Sequence, residues 1–144
     1  LWVGENDLTN IDELANYPNL RHLQLSGNTL PDLAVVAALP NLIELQLHWA
    51  QIDDITALHG MTQLESLDAR GLLLTDIGFL EEFEQLHTLH IAFNEITSLA
   101  PLVANPGIGS GDYVDVRNNP LDLEDPEVLA DIQALRDRGV DLEY

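Results

Sequence analysis

The chain repeats itself every 22 residues, and that period restricts what it can fold into more than anything else in it. Leu1/Val3/Asn6/Leu8, Leu23/Leu25/Asn28/Leu30, Leu45/Leu47/Ala50/Ile52, Leu67/Ala69/Leu72/Leu74 and Leu89/Ile91/Asn94/Ile96 superimpose on one template. Val114/Val116/Asn119/Leu121 continues it after a three-residue insertion. A unit this short cannot bury its apolar side alone, so successive units must stack into a solenoid in which each covers the next. Such a molecule presents an extended surface to something else.

The residues between the anchors define the coil. From Leu20 the apolar positions run Leu20, Leu23, Leu25, Leu30, Leu33, Val36 and Leu39, with Asn28 among them, which is the leucine-rich repeat pattern L-x-x-L-x-L-x-x-N-x-L. Leu23 and Leu25 alternate with His22, Gln24 and Ser26, the period-two signature of a strand with one face inward. Strands of successive coils must then pair in parallel. Leu30/Leu33/Val36, Ile52/Ile55/Leu58 and Ile96/Leu99/Leu102 step by threes, which predicts short 3₁₀ turns on the convex side. Pro18, Pro40 and Pro101 fit at the edges of such turns. The expected fold is α/β: a leucine-rich repeat solenoid with a curved parallel sheet on the concave side and 3₁₀ turns on the convex side.

Coils such as Asn94-Glu-Ile-Thr-Ser-Leu-Ala-Pro-Leu102 resemble the 22-residue, internalin-like subclass of bacterial leucine-rich repeat proteins. The stretch Pro101 to Tyr144, with Ala104-Asn-Pro-Gly-Ile-Gly-Ser-Gly-Asp-Tyr-Val-Asp-Val-Arg-Asn-Asn-Pro-Leu121 and Arg138-Gly-Val140, is similar to the closing segment of many bacterial members. The resemblance covers essentially the whole chain. It implies a protein-binding role on a bacterial surface or in a secreted protein, with an intracellular scaffold as the alternative; fold likeness alone does not assign a site.

The chain divides into an array of about six coils, residues 1–124, and a cap over 125–144 belonging to the same domain. Asp125-Pro126-Glu127 opens a helix with a capping side chain, a first-position proline and an acid in the first turn. Val128, Leu129, Ile132 and Leu135 are its expected apolar stripe, Arg136, Arg138 and Gly139 its end, and Val140 and Leu142 a final strand. Leu1-Trp2-Val3 is already repeat strand, so a preceding cap is expected to be missing. A further segment or a partner chain should cover that coil, since buried leucines contribute about 1.5–3 kcal/mol each.

No cysteine means no disulfide and no thiolate chemistry. No apolar run approaches the roughly 18 residues of a membrane span. Twenty-five acids against five arginines give a net charge of −20, which repels nucleic acid and anionic membranes. These acids largely avoid the outward strand positions, where only Glu5, Glu44, Asp68 and Asp115 fall, beside Arg70 and Arg117.

The same positions gather Trp2, His22, Gln24, Gln46, His48, Trp49, His90, Phe93 and Tyr113. Exposed aromatics and arginines are enriched in interface hot spots. The expected partner-binding set is therefore Trp2, His22, Gln24, Glu44, Gln46, His48, Trp49, Asp68, Arg70, His90, Phe93, Tyr113 and Arg117, and the expected partner is a protein. A sheet of this length measures about 24 Å by 10 Å. That falls short of the roughly 800 Å² per partner of an ordinary interface, so flanking loops or further coils must contribute.

Ala50 and Leu72 replace the template asparagine in the two central coils, freeing backbone groups that need other partners. The Gly-rich insertion Asn105–Gly111 is not followed by a Lys-bearing helix, so it is no phosphate cradle. Across strands, Glu44 is placed to meet His22 and Asp68 to meet His90. A carboxylate beside a histidine is one ingredient of acid–base or metal chemistry. The rest of such a site is missing: there is no nucleophile motif and no metal-ligand spacing. The acid clusters Asp53-Asp54, Glu81-Glu82 and Asp122–Glu127 lack the calcium-loop pattern. The expectation is a noncatalytic interaction module without metal or cofactor. Stacking of a carbohydrate on Trp2, Trp49 and Phe93 is the third reading.

Overall fold

The computed structural model describes all residues, 1–144. In chain order the strands are β1 (His22–Gln24), β2 (Thr29–Asp32), β3 (Glu44–Gln46), β4 (Gln51–Asp54), β5 (Ser66–Asp68), β6 (Thr88–His90), β7 (Tyr113–Asp115) and β8 (Asp141–Glu143). Six of them form one parallel sheet in the order β1-β3-β5-β6-β7-β8, in register coil by coil, and Trp2 extends it by a bridge to Gln24. The ladder continues past the assigned strands: Leu47 N–H donates to Asp68 O, Trp49 N–H to Arg70 O and Phe93 N–H to Arg117 O. The inward residues Leu23, Leu45, Leu67, Leu89, Val114 and Leu142 stack along the interior as one continuous core with the second inward row, Leu25, Leu47, Ala69, Ile91 and Val116.

On the convex side, 3₁₀ turns lie at Asp12–Asn16, Thr56–Gly60 and Gly78–Glu82, as the three-residue steps predict. The other two coils instead make single α turns, α1 (Ala34–Ala37) and α2 (Ala100–Ala104). Both are rich in alanine, the residue that favours the wider α turn most. Every one of these five turns starts the same way. The side chains of Asn10, Asp32, Asp54, Asp76 and Ser98, spaced 22 residues apart, accept the backbone N–H two residues on, at 2.7–3.2 Å. These short polar side chains satisfy amides that a turn otherwise leaves to water.

The template asparagine joins coils through its side chain. Asn94 is buried; its amide donates to Ala69 O and Ile91 O, and its carbonyl oxygen accepts from Leu72 N–H and Leu74 N–H in the preceding coil. Asn28 does the same for Val3, Leu25, Asn6 and Leu8. Where Ala50 breaks this ladder, the backbone replaces it, and β2 pairs with β4 in a separate two-stranded parallel sheet that the sequence pattern does not announce.

The C-terminal cap is α3 (Pro126–Asp137) followed by β8 on the edge of β7. Asp125 Oδ1 accepts from Glu127 N–H at 2.8 Å, and Gly139 takes the left-handed conformation with φ +85°. Val128, Ile132 and Leu135 are buried, whereas Leu129 points outward and is 47% exposed. A stripe stepping by four and three leaves no room for the neighbour of Val128. The insertion is pinned rather than loose: Asn105 is fully buried, donating to Leu80 O and Phe83 O and accepting from Gly107 N–H. At the opposite end Leu1, Val3, Leu8, Ile11, Leu14 and Tyr17 line an apolar groove of about 430 Å³.

Replacing Asn94 by Ala leaves two backbone donors and the Ala69 carbonyl without partners, while Ile91 O keeps its bond from the Asn119 amide. Urea denaturation should show a loss of about 2–3 kcal/mol. Asn6→Ala, which removes one exposed bond to Gly4 O, should lose under about 0.5 kcal/mol.

Candidate functional site

The outward side chains of the six strands form three rows across the concave sheet, and the central row reads Gln24, Gln46, Asp68, His90, Asp115 and Glu143. Two carboxylates in that row lie under the surface. Asp68 is 6% exposed and holds the Arg70 guanidinium through Nε (2.8 Å) and Nη2 (2.6 Å), while also accepting from Arg70 N–H. Asp115 is 2% exposed and clamps Arg117 in the same way at 2.9 Å, and Arg117 reaches on to Glu143 at 2.6 Å. Each Asp-x-Arg unit is thus a bidentate pair built along one strand and its extension. Burial pushes both carboxyls up, but the hydrogen bonds and charge of the arginines outweigh it and hold them below the usual aspartate range.

The histidines sit around these clamps. His22 Nδ1 meets Glu44 Oε2 at 2.7 Å, as the register implies, and this bond with that from Gln46 lowers the Glu44 pKa against the effect of burial. Asp68 does not pair with His90. Its Oδ2 faces His48 Nδ1 at 3.0 Å, and His48 also bonds Ser26 Oγ. His48 approaches diagonally from the preceding coil, and Arg70 occupies the rest of the carboxylate. His90 Nδ1 is buried without a hydrogen-bond partner, 4.0 Å from Asp115 Oδ2, and its ring packs on Tyr113 with centroids 5.1 Å apart. Asp68 therefore positions Arg70 from beneath rather than standing on the surface with the other candidates. Ser26 and Ala92, at outward positions in the sequence, are also covered.

A fourth row borders the face, made by the residue that ends each strand's extension: Glu5, Gly27, Trp49, Gly71, Phe93 and Asn118. All six have left-handed backbone, with φ between 55° and 67°. Glycine and asparagine tolerate that conformation; a bulky residue loses about 1–2 kcal/mol there. Trp49 and Phe93 adopt it nonetheless, with their rings 55% and 48% exposed. The rings meet over Gly71 with centroids 5.4 Å apart, and a Cβ on Gly71 would fall 2.1 Å from Trp49 Cε3. Gly71 thus supplies both the turn and the slot that lets the pair form.

The whole solenoid superposes on known structures. It matches an internalin, InlF, of Listeria monocytogenes with a TM-score of 0.77 at 24% identity, covering 97% of this chain and 39% of that one. Internalin C2 of the same organism gives 0.80 at 26% identity, covering 100% and 59%. A leucine-rich repeat protein of Leptospira interrogans gives 0.79 at 20% identity, covering 100% and 36%. The chain has the internalin-like leucine-rich repeat fold. It spans from about a third to three fifths of the length of these structures. No protein-family model matches the sequence, and no curated protein matches it.

On this internalin-like solenoid the candidate residues share one face. Gln24, Glu44, Gln46, His48, Arg70, His90 and Tyr113 are half-buried on or beside the sheet, and Trp2, His22, Trp49, Phe93 and Arg117 are exposed on it or at its rim. The sequence reading missed the fourth row's backbone. The repeat itself carried the signal, because Gly27 and Gly71 occupy the same template position as Trp49 and Phe93.

The clamp has a definite pH signature. Because the folded-state pKa of Asp68 is depressed, the stability it contributes is full above its ordinary pKa of 3.8 and is lost as pH falls through the folded-state value. Asp68→Asn should therefore be about 1–2 kcal/mol less stable than the parent at pH 7, a value discounted because Arg70 is 35% exposed. The gap should close below pH 3.8. Chemical denaturation of both chains across that range measures it.

Proposed function

We propose that this chain is a noncatalytic protein-binding module that grips its partner on the concave face and the aromatic rim, as part of a larger bacterial surface or secreted protein. The observation that carries the reading is the pair Trp49 and Phe93. Both hold a left-handed backbone that three of the other four coils give to Gly or Asn, and both remain about half exposed. Strain retained while half of each residue stays in solvent is the pattern of a residue kept for an external contact. Large rigid aromatics beside clamped arginines have the composition of a binding hot spot. Arg70 and Arg117 are fixed before binding, so little side-chain entropy is lost when a partner meets them.

The internalins and the Leptospira protein support this reading by fold. The rim adds width to the sheet and brings the surface closer to the area an ordinary interface needs. The two rings are inclined at 51°, so they offer no single flat platform of the kind a sugar ring stacks on.

The test is a variant carrying Gln46→Ala, His90→Ala and Phe93→Gly. Phe93→Gly relieves backbone strain, so the melting transition should stay within a few degrees of the parent. Photo-crosslinking from Gln24 in the host secretome should capture a discrete protein with the parent, and at least tenfold less with the variant. Equal capture by both would remove the concave face from the reading.

A further inference from the structure

Three departures from the repeat meet at one place on the flank of the solenoid. Leu72 stands where the template has asparagine. In the coils that keep the asparagine, its side chain accepts from the N–H twenty or so residues earlier: Asn28 from Leu8, Asn94 from Leu74 and Asn119 from Ile96. The equivalent donor here is Ile52 N–H. Gln51 N–H donates to Asn28 O on the β2 side, so in this parallel strand Ile52 presents its N–H and C=O on the opposite side, and no protein group meets that N–H. Leu73 is the second departure: the left-handed conformation recurs at the equivalent Asp7 (φ 52°), but here a bulky leucine holds it (φ 59°) and is 74% exposed. Trp49, left-handed and exposed, is the third.

These residues line one open cleft of about 410 Å³ between β4 and the chain leaving β5, walled by Trp49, Ala50, Ile52, Asp53, Leu72 and Leu73. A lost asparagine alone reads as drift. Drift does not explain two bulky apolar residues held in left-handed backbone on opposite walls of the gap it opens, each less stable there than glycine. An unpaired backbone donor on an extended strand, beside an apolar notch, is the recognition geometry of an added strand: main-chain hydrogen bonding gives affinity and a pocket reads a side chain. The only charge on the walls is Asp53, and the chain carries −20 overall, so cationic flanks suit the occupant.

We propose that this cleft binds an extended peptide segment of a partner protein, taking one large apolar side chain flanked by Lys or Arg while Ile52 N–H donates to the segment's backbone carbonyl. The site lies on the flank and shares Trp49 with the aromatic rim, but Ile52, Leu72 and Leu73 lie outside the proposed concave-face set, so variants there test it separately.

The test uses the full chain with Trp2→Phe, which makes Trp49 the sole tryptophan. The probes are synthetic nonapeptides with a central Leu or Phe flanked by Lys and Arg. Matched peptides with central Gly or with Asp and Glu flanks are compared, together with oligosaccharides. The basic apolar peptides should shift Trp49 emission and slow amide exchange at Ile52. Leu72→Asn restores the missing acceptor and Leu73→Gly removes strain. Each should raise the melting temperature yet weaken peptide binding at least tenfold, whereas Leu129→Ala on the exposed side of α3 should change neither. A residue kept only for folding would not give stability and binding changes of opposite sign. Equal binding to Leu72→Asn, binding of oligosaccharides alone, or no response to any peptide would overturn the proposal.

Discussion

A coil of 22 residues has too little interior to satisfy its own backbone, and every other feature of this protein follows from how the next coil meets that need. On the concave side the parallel ladder does it directly. On the flank, where the chain turns away from the sheet, a buried asparagine acts as a movable piece of backbone, with two acceptors and two donors bound at once by Asn94. On the convex side the turn amides are taken by Asn10, Asp32, Asp54, Asp76 and Ser98. Three sets of contacts of different chemistry therefore join the coils, the asparagine set being interrupted at Ala50 and Leu72, and the leucine core is held in register by them.

The flank is also where the protein departs from its own rule. A regular array would place Gly or Asn at every left-handed turn and Asn at every bracket. The central coils place Trp49, Ala50, Leu72 and Leu73 there instead, and Phe93 follows in the next. Each change is unfavourable locally, through backbone strain or a missing bond, yet the β2–β4 pair restores only part of what the asparagines supplied. A fold with ample neighbour-to-neighbour stability can carry such losses where a surface requires them.

Much of this was legible in the sequence because a repeat is read several times over. The alternation around Leu23 and Leu25 fixed the strands and their facing. Asp125-Pro126-Glu127 fixed the start of the cap helix. What escaped was whatever depends on geometry across coils. The side chain that meets Asp68 is set by a diagonal approach, so His48 rather than His90 takes it, and no spacing along the chain distinguishes the two. Leu129 turned outward because helical phase, not composition, decides the buried stripe. The left-handed row and the row of turn-starting acids were visible as aligned columns, Gly27 with Gly71 and Asp32 with Asp54 and Asp76, but only to a reader looking for backbone conformation rather than for polarity.

Those columns alter the meaning of the charge. Asp32, Asp54 and Asp76 hold turns, Asp68 and Asp115 hold arginines, Asp125 starts a helix, and Asp112 holds the insertion through Gly109 N–H and His87. These carboxylates are hydrogen-bond acceptors with fixed partners, so the acidity is in part a building material and not only a coat. The consequence falls on the concave face. Its two arginines, the only cations there apart from any protonated histidine, are matched one to one by buried aspartates. The field a partner meets is therefore set by the surrounding acids, while the arginines offer shape and directed N–H groups rather than net charge. In the proposed role a partner is drawn in by its own positive surface, and is then sorted by aromatic and guanidinium geometry fixed before it arrives.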